Sequence, residues 1–334
     1  MKKVAIIGLG DIAPIHLEAI RTVKGVGLGA VCDIDPEKQK QYPDISFYTD
    51  YQELFDKEKP DCVHLCLPHD LHYPVARAAA EKGIHIFCEK PAAADLKQAA
   101  DFVRLEAEHP GLQMGICLQN RKNRTVVRLR EIITGGSYGE MTGIRGFVPW
   151  MRTKEYYAVK PWRGRLLQAG SGVMLNQSIH TLDLMYYLGG EITRLKALSG
   201  QMLEYEIEVE DTVAARFTYQ NGASGLFFAT NANHKNESVS IQVTLTDGEF
   251  LIQNNILSRI LPDGSLIRLE EDQKLPGTRF YYGAGHKTAI QEYYRAMEHG
   301  TDDYIHVRDA WSGMVISNAI FRSSQMNRTV SVLL

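Results

Sequence analysis

Val4-Ala5-Ile6-Ile7-Gly8-Leu9-Gly10-Asp11-Ile12-Ala13 is a run of four apolar residues that enters a G-x-G-x-x-A loop, after which residues 14–24 carry apolar side chains at three- and four-residue spacing. A short strand, a glycine loop and an amphipathic helix are the opening of a βαβ unit. Gly8 suits the tight turn, Gly10 lets backbone approach a pyrophosphate, and Ala13 permits close helix–strand packing while the helix N-terminus attracts the anion. Gly8, Gly10, Asp11, Ile12 and Ala13 are therefore candidate dinucleotide contacts. The same letters also occur in ordinary glycine-rich turns.

The second apolar run narrows the choice. It ends in Val31-Cys32-Asp33, about 20 residues past the loop, where an acid can accept from both hydroxyls of an adenosine ribose. Ile34-Asp35 follows with no adjacent Arg, so a 2′-phosphate would meet negative charge and no cation. The expected cofactor is NAD rather than NADP. The competing reading is that Asp33 only begins the turn at Asp35-Pro36.

Outward from this unit, residues 27–32, 62–67, 84–88 and 113–118 are nearly continuous apolar runs, as parallel strands covered on both faces are. Stretches 73–82 and 95–108 between them have helical spacing. A doubly wound parallel sheet over residues 1–119 is predicted, with an α+β domain over 120–334. In the latter, 211–219, 223–230, 238–246 and 256–261 are β-prone and joined by Asn221-Gly222, Asp247-Gly248 and Asp263-Gly264, which favour hairpins in a large, mostly antiparallel open sheet. Helices near 173–188, 286–299 and 310–326 are expected to cover one face of that sheet, and the last is also a candidate to pack back on the first domain.

The 334 residues favour two domains, and 37 Lys and Arg against 40 Asp and Glu leave a net charge of −3 that speaks against nucleic acid or an anionic membrane surface as partner. Five Cys, an odd number with three inside apolar runs, read as reduced thiols of a cytoplasmic protein. Cys62 and Cys66 have no second ligand pair at zinc spacing, so no metal is expected. Met1-Lys2-Lys3 before an apolar run imitates a signal peptide until Asp11 interrupts it, and no uncharged apolar stretch approaches ~18 residues.

Glu89-Lys90-Pro91 follows the fourth run, at the carboxyl end of a parallel strand, where open α/β sheets bind ligands. A solvated Glu-Lys turn is the plain alternative. Together, 8–13 with His16 following, Cys66-Leu67-Pro68 with His72, Glu89-Lys90-Pro91, and Gly172-Val173-Met174-Leu175-Asn176-Gln177-Ser178-Ile179-His180-Thr181-Leu182-Asp183-Leu184 resemble the Gfo/Idh/MocA family of oxidoreductases. The likeness extends over essentially the whole chain, including Gly285-His286 and the helix near 310–328.

The resemblance implies a Rossmann domain, an α/β domain that is commonly a dimer or tetramer surface, and hydride transfer between NAD(P) and one carbon of a sugar, sugar nucleotide, inositol or related polyol. It also makes Lys90 the active-site lysine, His180 the acid/base histidine, and Pro68, His72, Glu89 and Lys90 cofactor contacts. Many members carry Asp where this chain has Asn176, and an amide takes no proton. Alcohol oxidation needs a base and a donor for an alkoxide-like oxygen, roles that neutral His180 and charged Lys90 suit. Asp183, one helical turn after His180, is placed either to orient the imidazole or to make a local pair. Trp162, Arg163, Asn176 and Asp183 are candidate substrate contacts, with Arg121 and His286 behind them; Trp162 is equally at home as a packing anchor. Two alternatives are an NAD-retaining enzyme that uses transient oxidation for elimination or glycoside hydrolysis, and a ligand sensor that has lost catalysis.

Overall fold

A computed structural model describes residues 1–273 and 284–334. The chain divides into two compact units, Met1–Gln119 with Gly285–Trp311, and Asn120–Ala284 with Ser312–Leu334.

The first unit runs β1 (Lys2–Ile7), α1 (Ala13–Arg21), β2 (Val26–Cys32), β3 (Ser46–Tyr48), α2 (Tyr51–Glu58), β4 (Cys62–Leu65), α3 (His72–Ala80), β5 (His85–Cys88), α4 (Leu96–Glu108) and β6 (Met114–Ile116). The strands lie in the order β3-β2-β1-β4-β5-β6, and each neighbouring pair is parallel. This is the doubly wound arrangement, with its order reversing between β1 and β4; ligands of such sheets bind beyond the strand carboxyl ends at that reversal. Val4, Ala5, Ile6, Val63, Leu65 and Ile86 are fully buried, which is why these runs do not alternate.

The second unit runs α5 (Arg124–Thr134), β7 (Met141–Pro149), α6 (Lys154–Val159), α7 (Leu166–Ala169), α8 (Ile179–Gly189), β8 (Ile192–Gly200), β9 (Thr212–Tyr219), β10 (Ser224–Thr230), β11 (Ser240–Leu245), β12 (Gly248–Gln253), β13 (Ile256–Ile260) and β14 (Leu266–Glu271). After α9 (Gly285–His299), it closes with α10 (Trp311–Met326) and β15 (Val330–Ser331). Among the described residues its sheet has nine strands in the order β14-β13-β12-β11-β7-β10-β9-β8-β15, antiparallel at each step except β7–β10. Gly222 and Gly264 take φ of +86° and +83° in two hairpin turns, and Asn254 with Asn255, at +53° and +61°, turns β12 into β13. In β9, Val213, Ala215, Phe217 and Tyr219 are buried and alternate with exposed positions, so one face of the sheet carries the core.

One expectation is corrected. Helix α9 does not cover the second sheet: its Ala289, Ile290, Tyr293 and Tyr294 join Val4, Ile6, Ile20 and Phe87 in the core of the first unit. An amphipathic pattern says that a helix has an apolar face, not which sheet receives it. Helix α10 from Ser312 onward belongs to the second unit; Ser323 and Ser324 accept the backbone N–H groups of Ala197 and Ser199 on β8.

Candidate active site

Three pieces of the fold carry the expected chemistry, two in the first unit and one in the second. The first is the loop between β1 and α1. Gly8 has φ +91°, and a Cβ there would lie 2.5 Å from the Cys66 carbonyl oxygen, so only glycine fits. Helix α1 starts at Ala13 with no side chain capping it; Pro14 carries no N–H and the Ala13 and Ile15 N–H groups bond to the Gly10 and Ile12 carbonyls, so an anion here would meet the positive end of the helix rather than free first-turn donors. At the end of β2, Asp33 Oδ2 accepts the Leu9 N–H at 2.7 Å and Oδ1 accepts the Asp35 N–H at 2.9 Å. Asp33 thereby ties the glycine loop to β2, and its remaining lone pairs can take ribose hydroxyls. The helix-capping role falls to Asp35, which accepts the Glu37 N–H. A cradle that a Cβ would fill, an uncapped helix start and an acid at the next strand end fit a dinucleotide.

The second piece is the end of β5. The Lys90–Pro91 bond is cis, and Lys90 is half-buried. Glu89 is no solvated turn residue: it is buried, with Oε1 2.8 Å from His16 Nε2 and Oε2 accepting the Lys90 backbone N–H at 3.3 Å. Its carboxylate faces a histidine of α1. His72 is also held by its neighbours. Fully buried, it sets Nδ1 2.7 Å from the Pro91 carbonyl and Nε2 2.9 Å from the Leu67 carbonyl, so it braces the loops bearing Pro68 and Lys90 from behind. Burial lowers its pKa.

The third piece is the approach to α8. A single π-helical turn, Val173–Gln177, precedes the helix and presents Asn176 and then His180, both half-buried. Half-buried Glu210 holds the turn: its carboxylate accepts from Gly172 N–H and Met174 N–H near 3.0 Å and from Ser171 Oγ at 2.7 Å. Burial raises the Glu210 pKa despite these donors. A Cβ on Gly172 would fall 1.8 Å from the Glu210 carbonyl oxygen. Gln177 Nε2 donates to Tyr156 Oη, and Asn231 Nδ2 donates to Tyr157 Oη and Gln177 Oε1. Beside this amide network Trp162 and Arg163 occupy the 3-10 turn Pro161–Gly164, with the Arg163 guanidinium 4.2 Å over the Tyr156 ring and that of Arg152 4.8 Å over Trp150.

Asp183 has its partner outside its own helix. It is buried and takes a bidentate pair from Arg121, Nε to Oδ2 at 2.9 Å and Nη2 to Oδ1 at 2.6 Å, so Arg121 is equally a structural partner. His286 is buried in the first unit, and burial lowers its pKa to about 4. Glu210, Gln177 and Asn231 were not read from the sequence, where polar letters carry no mark of burial. His64 did carry one: an imidazole inside the run 62–67 is out of place in a buried strand. Among the described residues, His16, Glu89 and Cys117 bring possible metal-ligand atoms within 4.8 Å of one another, but His16 and Glu89 meet as a hydrogen-bonded pair.

Comparison with known proteins agrees with this layout. Residues 2–115 match the model of the oxidoreductase family with NAD-binding Rossmann fold, and residues 126–251 match the Gfo/Idh/MocA C-terminal domain. D-glucoside 3-dehydrogenase of Escherichia coli is 32% identical over 196 residues, 56% of this chain and 54% of that protein. Inositol 2-dehydrogenase/D-chiro-inositol 3-dehydrogenase of Lactiplantibacillus plantarum is 28% identical over 193 residues, 56% of this chain and 52% of that one. The matched stretches thus span little more than half the length of these curated relatives. In fold, the WlbA dehydrogenase of Bordetella pertussis, solved with NADH and UDP-GlcNAcA, superposes with a TM-score of 0.88 over 100% of this chain and 98% of its own at 23% identity. With one family model matching the first unit and its C-terminal counterpart the second, the chain belongs to the Gfo/Idh/MocA family of oxidoreductases.

Proposed function

We propose that the protein is an NAD-dependent dehydrogenase acting on a secondary-alcohol carbon of a sugar, sugar derivative or cyclitol. The observation that carries the reading is the Gly8 cradle tied through the Leu9 N–H to Asp33, on a parallel sheet whose β5 ends in Lys90. The similarity to glucoside and inositol dehydrogenases supports the substrate class.

The loop 8–13 and Asp33 hold the dinucleotide, with Pro68 and Lys90 beside it. Bound NAD supplies a hydride acceptor. His180, neutral, takes the hydroxyl proton, and Lys90, charged, donates a hydrogen bond to the oxygen as negative charge grows on it. Asn176 fixes a substrate hydroxyl as donor or acceptor without taking a proton, so the proton chemistry of α8 rests on His180. Trp162 and Arg163 offer a flat apolar face and forked donors to a hydroxylated ring. The protein works in the cytoplasm, consistent with its five free thiols, and as a homodimer or homotetramer, for which the exposed Leu198 and Leu226 of the open sheet supply apolar surface. No described helix is long and apolar enough to cross a membrane.

The test is a panel of sugars, inositols and sugar nucleotides offered with NAD or NADP. The expected result is stoichiometric release of reduced NAD with at least one of them, and NAD binding at least about tenfold tighter than NADP, near 1.4 kcal/mol. Product without net NADH would replace this reading with transient oxidation. Equal affinities would mean that Asp33 does not meet the ribose.

A further inference from the structure

In the first unit four buried side chains from four elements form a continuous hydrogen-bonded chain. Glu89 Oε1 lies 2.8 Å from His16 Nε2, His16 Nδ1 lies 2.8 Å from His64 Nδ1, and His64 Nε2 lies 2.8 Å from Tyr294 Oη. His16 and His64 are fully buried, and Tyr294 and Glu89 nearly so. Two ring nitrogens 2.8 Å apart share one proton, which leaves the chain two states when Glu89 is ionised and His64 neutral. In one, neutral His16 donates Nε2–H to Glu89 and accepts from His64 Nδ1–H, while Tyr294 donates to His64 Nε2. In the other, His16 is an imidazolium donating from both nitrogens, and neutral His64 carries its proton on Nε2 and donates to Tyr294 Oη. One proton separates them, and no heavy atom has to move.

The surroundings favour the second state. Burial works against a charge on His16, but Cys66, Cys117 and Glu89 outweigh it and raise its pKa well above the usual histidine range. Burial and the His16 charge push His64 far below that range, so only one of the two rings is charged. Burial would raise Glu89, but the bond and charge of His16, with help from His286 and Lys90, hold it well below the ordinary carboxylate range. The other titratable groups facing the chain are the buried thiols of Cys62, Cys66, Cys88 and Cys117, Tyr293, and His286, whose Nε2 is 3.8 Å from Glu89 Oε1. Burial pushes Cys88, Cys117 and Tyr293 up and His286 down, which leaves these four neutral near pH 7. Glu89 thus stands between His16 and Lys90, one oxygen toward the imidazole and the other accepting the Lys90 backbone N–H.

We propose that His16 is a positioning residue for Lys90: its buried proton neutralises Glu89, so that the lysine next to that carboxylate carries its charge beside a net-neutral pair rather than beside a bare anion. The inference rests on the proposed role of Lys90. Without the His16 proton the charge of Glu89 is uncompensated, and since Glu89 and Lys90 act on each other through their charges, the carboxylate holds the Lys90 proton more tightly. The His64–Tyr294 end of the chain keeps the His16 proton in place by accepting its Nδ1–H.

The test compares His16→Gln, Glu89→Gln and the double variant in the full-length protein. For an active alcohol, His16→Gln should move the alkaline limb of kcat/KM up by about one pH unit or more. Glu89→Gln and the double variant should return it to near the wild-type position. Limbs that stay in place in all three, with only stability or kcat lowered, overturn the proposal. Two readouts need no turnover. Nitrogen NMR of the histidine rings should find His16 doubly protonated and His64 protonated at Nε2 near pH 7, and a neutral His16 sinks the proposal. The pH dependence of Lys90 acylation, read by mass spectrometry, should shift as the limb does. If both hold and no alcohol is oxidised, the dehydrogenase reading fails and the buried device stands.

Discussion

The two units bury polar groups in opposite ways. The first sinks ionisable chemistry into its core: His16, His64, His72, His286 and Glu89 are all buried around the carboxyl ends of β4 and β5. The second relies on neutral amides and hydroxyls, Gln177, Asn231, Tyr156 and Tyr157, braced by Glu210 and by the bidentate Arg121–Asp183 pair. A buried charge is tolerable only when paired and hydrogen-bonded, whereas an amide needs only its hydrogen bonds. The contrast teaches where protons are stored and where geometry alone is kept. By this account the only proton-accepting role in the second unit falls to His180.

Removing that group is the largest expected break in the comparison. His180→Ala should lower kcat by about 10²–10⁴-fold with NAD affinity and folding retained, and the wild-type pH profile should show one acid-side ionisation in the ordinary histidine range. If His180 were a core residue, its loss would lower the melting temperature without a selective loss of turnover. Two overlapping acid-side ionisations would bring a second group of the α8 region into the proton chemistry.

The second break concerns the buried Arg121–Asp183 pair of this mostly neutral core. Arg121→Leu leaves Asp183 buried and unpaired, and chemical denaturation should show a loss of about 3–5 kcal/mol. Joint replacement of both residues by Leu should recover most of that loss. A small effect of the single substitution would mean that water reaches Asp183 and that the pair is not a buried one.

The third test sharpens the contrast through pH. Glu89 in the first unit is depressed by His16 and its neighbours, so its contribution is present above the unfolded carboxylate range and is lost as pH falls. His286, lowered to about 4 by burial, adds to this, because the unfolded chain takes up its proton between about 6.5 and 4 while the native unit does not. Glu210 and Asp272 in the second unit are raised by burial; their cost is relieved as pH falls through their folded values. Hydrogen exchange at pH 4 against pH 7 should therefore show a greater loss of protection in β4, β5 and α9 than in β9 and β10. The reverse order would contradict the assignment of charge to the first unit.

Much of the first unit was legible because its strands are short apolar runs closed by Gly8, Asp33 and Lys90 at strand ends, so element and ligand position are read from the same letters. Helix α2 was not, since in Tyr51–Glu58 only Leu54 and Phe55 are buried. In the second unit, β7 lies at the middle of the sheet yet reads Met141-Thr142-Gly143-Ile144-Arg145-Gly146-Phe147-Val148-Pro149, with glycines where a strand former is expected. Gly146 is there because α8 lies against it: a Cβ would come within 2.7 Å of Met185 Sδ and Thr181 Cγ2. Of the site, the residues on local motifs were readable, whereas the partners of Glu89 and Asp183 come from positions 73 and 62 residues away. Spacing along one helix could offer Asp183 only a local partner, and the fold supplied Arg121 instead.

The central claim, that Lys90 at the end of β5 serves the reaction and not merely the cofactor or the fold, is tested most directly by Lys90→Met, with turnover of an active polyol and NAD affinity by calorimetry measured on the same preparation. The account predicts that turnover falls by about 10²-fold or more while NAD binds as in the wild type. Turnover retained, or lost only in step with NAD affinity, would contradict it.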